Sequence, residues 1–432
     1  MDSDNDYKVV NLMIKADAPL WIGIVIGAII GGFAELWGIA NPETLIRLAR
    51  WKDRLFIGCI AIGSAIGAVV LYGLYASGVD MHFGPKPVYI IGIVLGGLFF
   101  GVGMAISGYV PGSEWMALGE GRRDVLYAIP GGILGAAAWT LLYQSAWGQW
   151  LVHTLNFGNL IITGSIKHIH PGLTFGISLI YATILLLVAY FLPRYQGGHK
   201  SCIRQSFSKT MDPTDQEYRA DTLAYLSEGG LSVNTNSWNH EIVARDVPNP
   251  NFYSPIMLFV GAVIGVTVVL GIFLHQIFGE STTFSWLAGR LFLPHYAYST
   301  KVFGKIGWEP LSDIGTFFGA FIAALFISRR FNAFRPVIPP SWRNRFGTNP
   351  VTRATGAFVG SFLVLFGARM ADGCASGHIL SGGVQMAVSA WIFTIAVLIA
   401  MIITAKWVYG NASEKVNPAH ESPSHPQRRV LP

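Results

Sequence analysis

Charged side chains are scarce in this sequence. Asp, Glu, Lys and Arg make up 12% of the 432 residues, whereas soluble domains usually contain about 25%. Hydrophobic residues make up 52%, and the mean hydropathy is +0.46. So few charges cannot cover the water-exposed surface of a chain of this size. The composition therefore excludes an ordinary soluble domain and indicates an integral membrane protein.

Cysteine is also scarce, and its spacing excludes several kinds of site. The three cysteines, Cys59, Cys202 and Cys374, lie far apart in the sequence. Because no two share a spacing such as C-x-x-C, we expect neither a zinc or iron–sulfur site nor a disulfide framework. The sequence thus predicts no metal and no cofactor.

Three further absences narrow the function. No G-x-x-x-x-G-K-[ST] motif occurs, so coupling to ATP within this polypeptide is not expected. The basic residues lie between apolar runs without interleaved aromatics, which excludes a nucleic-acid partner. The first 19 residues are polar and acidic and lack a basic n-region, so we expect no cleavable signal peptide.

Long apolar runs make up most of the chain. Each run can cross about 30 Å of hydrocarbon as a helix, and almost no charge falls inside one. Strands of a membrane β-barrel would be about 10 residues long and alternate in polarity, so the fold class predicted is all-α, a polytopic helical membrane bundle. The predicted spans, about nine in number, are 20–36, 55–76, 88–108, 125–147, 172–192, 254–279, 311–328, 354–370 and 383–408.

Lys and Arg are distributed unevenly between the loops. With the N-terminus outside, the segments predicted to face the cytoplasm carry three times as many Lys and Arg residues as the segments predicted to face outward. Positively charged loops stay in the cytoplasm, so the asymmetry predicts an external N-terminus, a cytoplasmic C-terminus and an odd number of spans.

The chain divides into two similar halves. We predict a first membrane half at 1–192, a polar cytoplasmic linker at 193–253, a second membrane half at 254–410 and a cytoplasmic tail at 411–432. The segment 26–31 is echoed by 260–265, and 100–104 is echoed by 366–370. This pattern is typical of an inverted repeat with a site near the midplane, although chance matches between Gly-rich helices would look the same.

Each half contains a glycine-dense interruption of its apolar pattern. Such breaks free backbone N–H groups, and the N-terminal end of a half-helix attracts an anion. Close helix packing by small residues is the alternative reading. The candidate substrate-path residues are Gly108, Val110, Pro111, Gly112 and Ser113 in the first break and Arg369, Gly373, Cys374, Ser376, Gly377 and His378 in the second.

Cys374 lies in the middle of the second break. A free cysteine is most often a small buried apolar residue. Here small residues flank it, so its neighbours in sequence would shield the sulfur little. A thiol is a soft contact that suits a ligand with a terminal sulfur, which favours a functional role.

Arg369, Asp372 and His378 are ionisable residues beside the same break. Ionisable groups at membrane depth mark either a pathway or a paired structure. We expect an Arg369–Asp372 ion pair that fixes the break, with direct contact between Arg369 and an anion as the alternative. His378 is either a proton-linked gate or a loop histidine with satisfied hydrogen bonds, and the sequence favours neither.

These motifs resemble those of the YeeE/YedE family of sulfur transport membrane proteins. The segment 367–378, G-A-R-x-A-x-G-C-x-S-G-H, follows the second-half motif of that family, and 103–112, G-M-A-x-x-G-Y-x-P-G, resembles its partner motif. The resemblance implies an inverted-repeat fold in the inner membrane of a prokaryote, with short re-entrant helices. It also implies uptake of thiosulfate along cysteine thiols, with Cys374 as the second-half relay.

The chain departs from that family at Val110. The first-half motif of the family has cysteine at this position. A valine there would make a more apolar constriction. One relay thiol remains of the set that the resemblance implies.

Three functions are compatible with these motifs. The preferred one is a transporter or channel for a small sulfur anion such as thiosulfate, or a selenium analogue, with Cys374 in the permeation path. The alternative is a non-transporting membrane subunit that docks a soluble sulfur carrier or another protein through its cytoplasmic loops. An enzyme with a Cys374 nucleophile is disfavoured, because only His378 lies near it in sequence as a base.

Overall fold

The computed structural model of the protein describes residues 18–51, 55–191, 255–302, 306–328, 331–336 and 338–410. These residues form a helical bundle whose only sheet is an antiparallel pair, Leu160–Ile161 with Gly164–Ser165. The predicted linker 193–253, which contains Cys202, and the predicted tail 411–432 lie outside the described residues.

The helices of the described residues are numbered here in chain order. They are α1 Ile22–Trp37, α2 Pro42–Ala49, α3 Leu55–Ala76, α4 Ile90–Ser107, α5 Pro111–Gly119, α6 Val125–Tyr143, α7 Ala146–His153, α8 Pro171–Phe191, α9 Pro255–Phe273, α10 Thr282–Leu291, α11 Glu309–Ile322, α12 Pro340–Phe346, α13 Pro350–Met370 and α14 Val388–Tyr409. A 3₁₀ turn lies at Ile166–His168, and π-helical turns lie at Tyr298–Val302, Ala323–Ile327 and Ala375–Gly382.

The predicted membrane helices are present. Seven stretches of the described residues are long and apolar enough to cross a membrane, and they include α3, α4, α6, α8, α11, α13 and α14. The other two predicted spans correspond to α1 and α9, which are apolar but shorter. The all-α polytopic fold is therefore confirmed. The last predicted span begins at Val388 rather than 383, because the residues before it form the Ala375–Gly382 π-helix and a turn.

Four short helical segments are buried inside the bundle. They are α2, α5, α10 and the Ala375–Gly382 π-helix, each of 8 to 10 residues. At about 1.5 Å per residue an α-helix of this length covers roughly half of a 30 Å hydrocarbon layer. Each one follows a long helix, as the short re-entrant helices expected from the resemblance should.

Long helices of each predicted half pack on long helices of the other half. Helix α1 packs on α11, and α9 packs on α3, so the first helix of each predicted half contacts the third helix of the other. Helices α4 and α13 pack on each other at the centre, with α14 against α4 and α6 against α13. This two-fold pattern is the one that a repeated fold produces.

Glycines bring these helices into backbone contact. A Cβ on Gly27 would lie 1.9 Å from the Ser312 carbonyl oxygen, and one on Gly315 would lie 2.1 Å from that of Ile24. The crossing of α4 and α13 is similar, since a Cβ on Gly96 would lie 2.5 Å from the Gly367 oxygen. Packing by small residues is the usual means by which membrane helices associate closely.

Candidate substrate path between the two helix breaks

The two breaks have the same backbone construction. Helix α4 ends at Gly108, which has φ +72°, and two residues later the extended residue Val110 caps α5. Helix α13 ends before Asp372, which has φ +58°, and two residues later the extended residue Cys374 caps the π-helix. Val110 and Cys374 thus occupy equivalent positions, and both are buried in one apolar cluster.

Local hydrogen bonds close the first break. The Val110 N–H donates to the Ser113 hydroxyl, which donates in turn to the Val110 carbonyl, both at 2.9 Å. Pro111 begins α5, where its missing N–H costs nothing. A Cβ on Gly108 would lie 2.5 Å from the Pro42 carbonyl oxygen, so the start of α2 abuts this break. The first break is therefore tightly packed.

A thiol and a hydroxyl meet in the second break. The Cys374 Sγ lies 3.0 Å from the Ser376 Oγ, and that oxygen also accepts a 3.2 Å hydrogen bond from the Glu280 backbone N–H. Cys374 is only 1% exposed. Its neighbours in sequence are small, as expected, so side chains from distant helices supply the shielding.

His378 holds the second break closed on itself. Its Nε2 lies 2.8 Å from the Ala371 carbonyl oxygen, and its ring stacks on Phe393 with centroids 4.6 Å apart. Its side chain packs against Gly373, where an added Cβ would lie 2.8 Å from the imidazole Cδ2. Burial lowers the pKa of His378 to about 4, so the ring is neutral at physiological pH.

Arg369 ties the second break to the segment around α10. Its guanidinium lies 3.5 Å from the Asp372 carboxylate, as the predicted ion pair requires. It also donates to the Tyr298 hydroxyl at 2.7 Å and to the Ser281 hydroxyl at 3.0 Å. Arg369 is only 2% exposed, so these internal partners and not water surround its guanidinium.

Lys86 is a cation beside the second break that the sequence reasoning missed. Its Nζ lies 3.7 Å from the Asp372 carboxylate, and its side chain is 31% exposed. Cβ atoms on Gly373 and Gly377 would lie 3.5 and 3.8 Å from its Cε, so the absence of side chains there makes room for it. Lys86 is the only Lys or Arg in the predicted outer loop 77–87, and this could have drawn attention to it from the sequence.

Two acidic residues at the same place were also missed. A Cβ on Gly112 would lie 1.6 Å from the Glu280 Oε2, so this carboxyl packs against the backbone at the start of α5. Asp313 on α11 accepts a hydrogen bond from the Thr283 hydroxyl. Asp313 is the single ionisable residue in the predicted span 311–328, and this could have identified it.

A buried ion pair fixes the far side of the first break. Arg353 on α13 lies 2.6 Å from the Asp124 carboxylate and donates to the Ser107 carbonyl oxygen at 2.7 Å. The Tyr109 hydroxyl donates to the other Asp124 oxygen at 2.8 Å. The residues on both sides of Gly108 are therefore anchored to α13.

No metal centre is formed by the residues that the structure describes. Among them, no three His, Cys, Asp or Glu side chains are placed to share a metal ion. An apolar cavity of about 330 Å³ lies between α3, α4, α8 and α14 and reaches Ala375, next to Cys374. The polar groups beside the second break are the Cys374 thiol, the neighbouring hydroxyls and carboxyls, and Lys86.

Comparison with known proteins identifies the family of this bundle. The sequence profile of the Sulphur transport family matches residues 45–403, which is most of the chain. The thiosulfate transporter TsuA of Spirochaeta thermophila is 22% identical over 380 residues, covering 87% of this chain and 95% of the relative. The chain therefore belongs to the Sulphur transport family, whose members are membrane transporters rather than enzymes.

Proposed function

We propose that this protein carries thiosulfate or a closely related small sulfur anion through the bundle, with Cys374 in the permeation path. Its family and the activity named for the TsuA relative support the anion class. The observation that carries the assignment of the path is the Cys374–Ser376 pair in the second break, placed beside Lys86 and against the first break.

The chemistry of this pair suits thiosulfate. The ion has a soft terminal sulfur at one end and hard oxygens at the other. The Cys374 thiol offers a polarizable contact to the sulfur, and the Ser376 hydroxyl offers a hydrogen bond to an oxygen. No bond to the substrate is made or broken, which agrees with a transporter.

The positive charge of Lys86 attracts anions to the second break. Lys86, one third exposed, lies over Gly373 and Gly377, where it raises the local concentration of anions. Beyond it the anion passes Cys374, Ser376 and the loop held by His378. Arg369 stabilises this loop from behind through Asp372.

The first break forms the other side of the constriction. Gly108, Val110, Pro111, Gly112 and Ser113 lie where α5 begins, opposite the second break. With Val110 in the position equivalent to Cys374, the anion meets a thiol on one side and an apolar side chain on the other. We place the protein in the inner membrane of a prokaryote, as the family resemblance implies, and we place its N-terminus outside from the distribution of Lys and Arg.

Thiosulfate-dependent growth of a bacterium that lacks its own uptake systems tests this function. The wild type should restore growth, and Cys374→Ala should not, although both reach the membrane in equal amounts. Cys59→Ala is the matched control, because Cys59 is also 1% exposed but lies in α3. It should restore growth like the wild type.

Two results would contradict the proposal. If Cys374→Ala restores growth as well as the wild type does, the protein transports thiosulfate but the thiol is not part of the path. No growth with a well-expressed wild type would argue against thiosulfate and favour the docking of a cytoplasmic partner.

A further inference from the structure

Two buried carboxyl groups meet where the helix breaks come together. Glu280 is 4% exposed and Asp313 is 1% exposed. Each has one carboxyl oxygen, Oε1 of Glu280 and Oδ1 of Asp313, that lacks a hydrogen-bond partner among the described residues. An ionised carboxylate buried in this way is so unfavourable that such a group tends to bind a proton instead.

The pair touches both breaks. The Glu280 carboxyl packs against Gly112 at the start of α5 in the first break. Its backbone N–H bonds to Ser376, which contacts the Cys374 thiol in the second break. Asp313 is close enough to both Glu280 and Cys374 to interact with them electrostatically. An anion that passes Cys374 and Gly112 must therefore pass these carboxyl groups.

The charges around the pair do not hold it ionised. In the described part of the chain no salt bridge joins a cation to Glu280 or Asp313, and Lys86 and Arg369 both pair with Asp372. From α11, Glu309 adds negative charge near Asp313.

The remaining titratable groups nearby are neutral or bonded elsewhere. His378 is uncharged, and on α5 the Glu114 carboxyl accepts its hydrogen bond from Ser361. Burial raises the pKa of Glu280 to about 8, although a hydrogen bond from Ser376 opposes the shift.

We propose that Glu280 and Asp313 form a proton-binding site on the substrate path, and that an anion passes the first break only while this pair holds a proton. The ionised Glu280 carboxylate lies at the N-terminal end of α5, where a helix attracts an anion. There it competes with the substrate and repels it. In its protonated form the group is neutral and can donate a hydrogen bond to the passing anion.

The part of this inference that concerns passage of the anion rests on the proposed function, whereas the part that concerns proton binding does not. The sign of the pH effect follows from the geometry. Exchange should be fast while the pair is protonated and should slow as the pH rises through the pKa of Glu280. Thiosulfate itself stays a dianion across this range, so its own charge does not change.

Tracer exchange of radioactive thiosulfate across proteoliposomes containing the full chain measures the dependence. With equal pH on both sides, stepped through about 8, the wild-type rate should fall about tenfold from one pH unit below the pKa to one above. Glu280→Gln, which is permanently neutral, should keep the fast rate throughout. Glu43→Gln is the matched control, because Glu43 is a buried glutamate bonded to Ser341 and should retain the wild-type profile.

Infrared spectroscopy of the same samples tests the proton site without any transport. The wild type at neutral pH should show a protonated carboxyl C=O band that is lost in Glu280→Gln or Asp313→Asn and kept in Glu43→Gln. If both variants keep every protonated band of the wild type, the pair holds no proton and the inference is overturned.

The two measurements separate the possible failures. Exchange with a flat pH profile, or with a profile that Glu280→Gln leaves unchanged, would overturn the link between the proton and passage while the proposed function stands. Exchange that depends on sodium rather than pH would also overturn it. If the wild type exchanges no thiosulfate, the proposed function fails and the infrared band alone decides the proton site.

Discussion

Replacing Arg353 with methionine should be among the most damaging single changes in the bundle. The guanidinium is 1% exposed and bonds the Asp124 carboxylate and the Ser107 carbonyl oxygen. Methionine fills similar space but leaves the Asp124 charge buried without its cation. Removing one partner of a buried ion pair costs about 3–5 kcal/mol. Loss of this anchor should also loosen the first break, because Tyr109 bonds the same carboxylate.

Three further variants should lose less stability than Arg353→Met. Tyr109→Phe removes only the hydroxyl donor to Asp124 and should cost about 1.5–3 kcal/mol. Arg123→Met is the matched control, because Arg123 is exposed and directly precedes Asp124, so its loss should cost less than about 0.5 kcal/mol. The double variant Arg353→Met with Asp124→Leu should recover part of the loss, since no unpaired charge remains.

Unfolding of the purified protein in mixed detergent gives these free energies, and thiosulfate exchange reports the state of the break. The expected order of destabilisation is Arg353→Met, then Tyr109→Phe, then Arg123→Met. If Arg353→Met unfolds at the same detergent composition as Arg123→Met, then the Arg353–Asp124 pair does not anchor the first break and the reasoning is refuted.

Two other substitutions test the constriction and the packing. Val110→Cys places a thiol at the position equivalent to Cys374 and should increase thiosulfate uptake several-fold. Val110→Ala opens at least as much space without a thiol and should not increase uptake; equal uptake by both would mean that space and not sulfur matters. Gly315→Ala would place a Cβ 2.1 Å from the Ile24 carbonyl oxygen, so it should cost at least about 1–3 kcal/mol in the same unfolding assay. Gly176→Ala on α8 is the control, because the added Cβ meets nothing within 4 Å and should be neutral or stabilising. If Gly315→Ala and Gly176→Ala are equally stable, α1 and α11 do not pack at backbone contact.

The sequence predicts the long helices and the two breaks well, because both depend on local composition. Apolar runs define the spans, and Gly108 and Cys374 lie where glycine clusters interrupt them. The start of α14 is predicted too early, because the turn that precedes it, at Gln385, Met386 and Ala387, contains no glycine or proline to mark it in the sequence.

The partners of the breaks were much harder to predict. Glu280 reaches Gly112 across more than 160 residues, and Lys86 reaches Gly373 across nearly 290. Helical periodicity says nothing about which loop approaches which break, so these contacts depend on the tertiary fold. Asp313 was missed as well, although a lone acidic residue within an apolar span is a signal that the sequence alone provides.

The two breaks share a backbone geometry but differ in charge, and this difference sets the expected size of the pH effect. The second break offers a thiol and Lys86, which attract an anion. The first offers Val110 and the Glu280 carboxyl, which repels an anion when ionised. Two unit charges about 4 Å apart at an effective dielectric constant of about 20 interact by about 4 kcal/mol, and a dianion doubles this to about 8 kcal/mol. Even a fraction of that repulsion exceeds the 1.4 kcal/mol that changes a rate tenfold. Protonation of the Glu280 carboxyl, which removes this repulsion, is therefore sufficient to change the rate of thiosulfate passage tenfold.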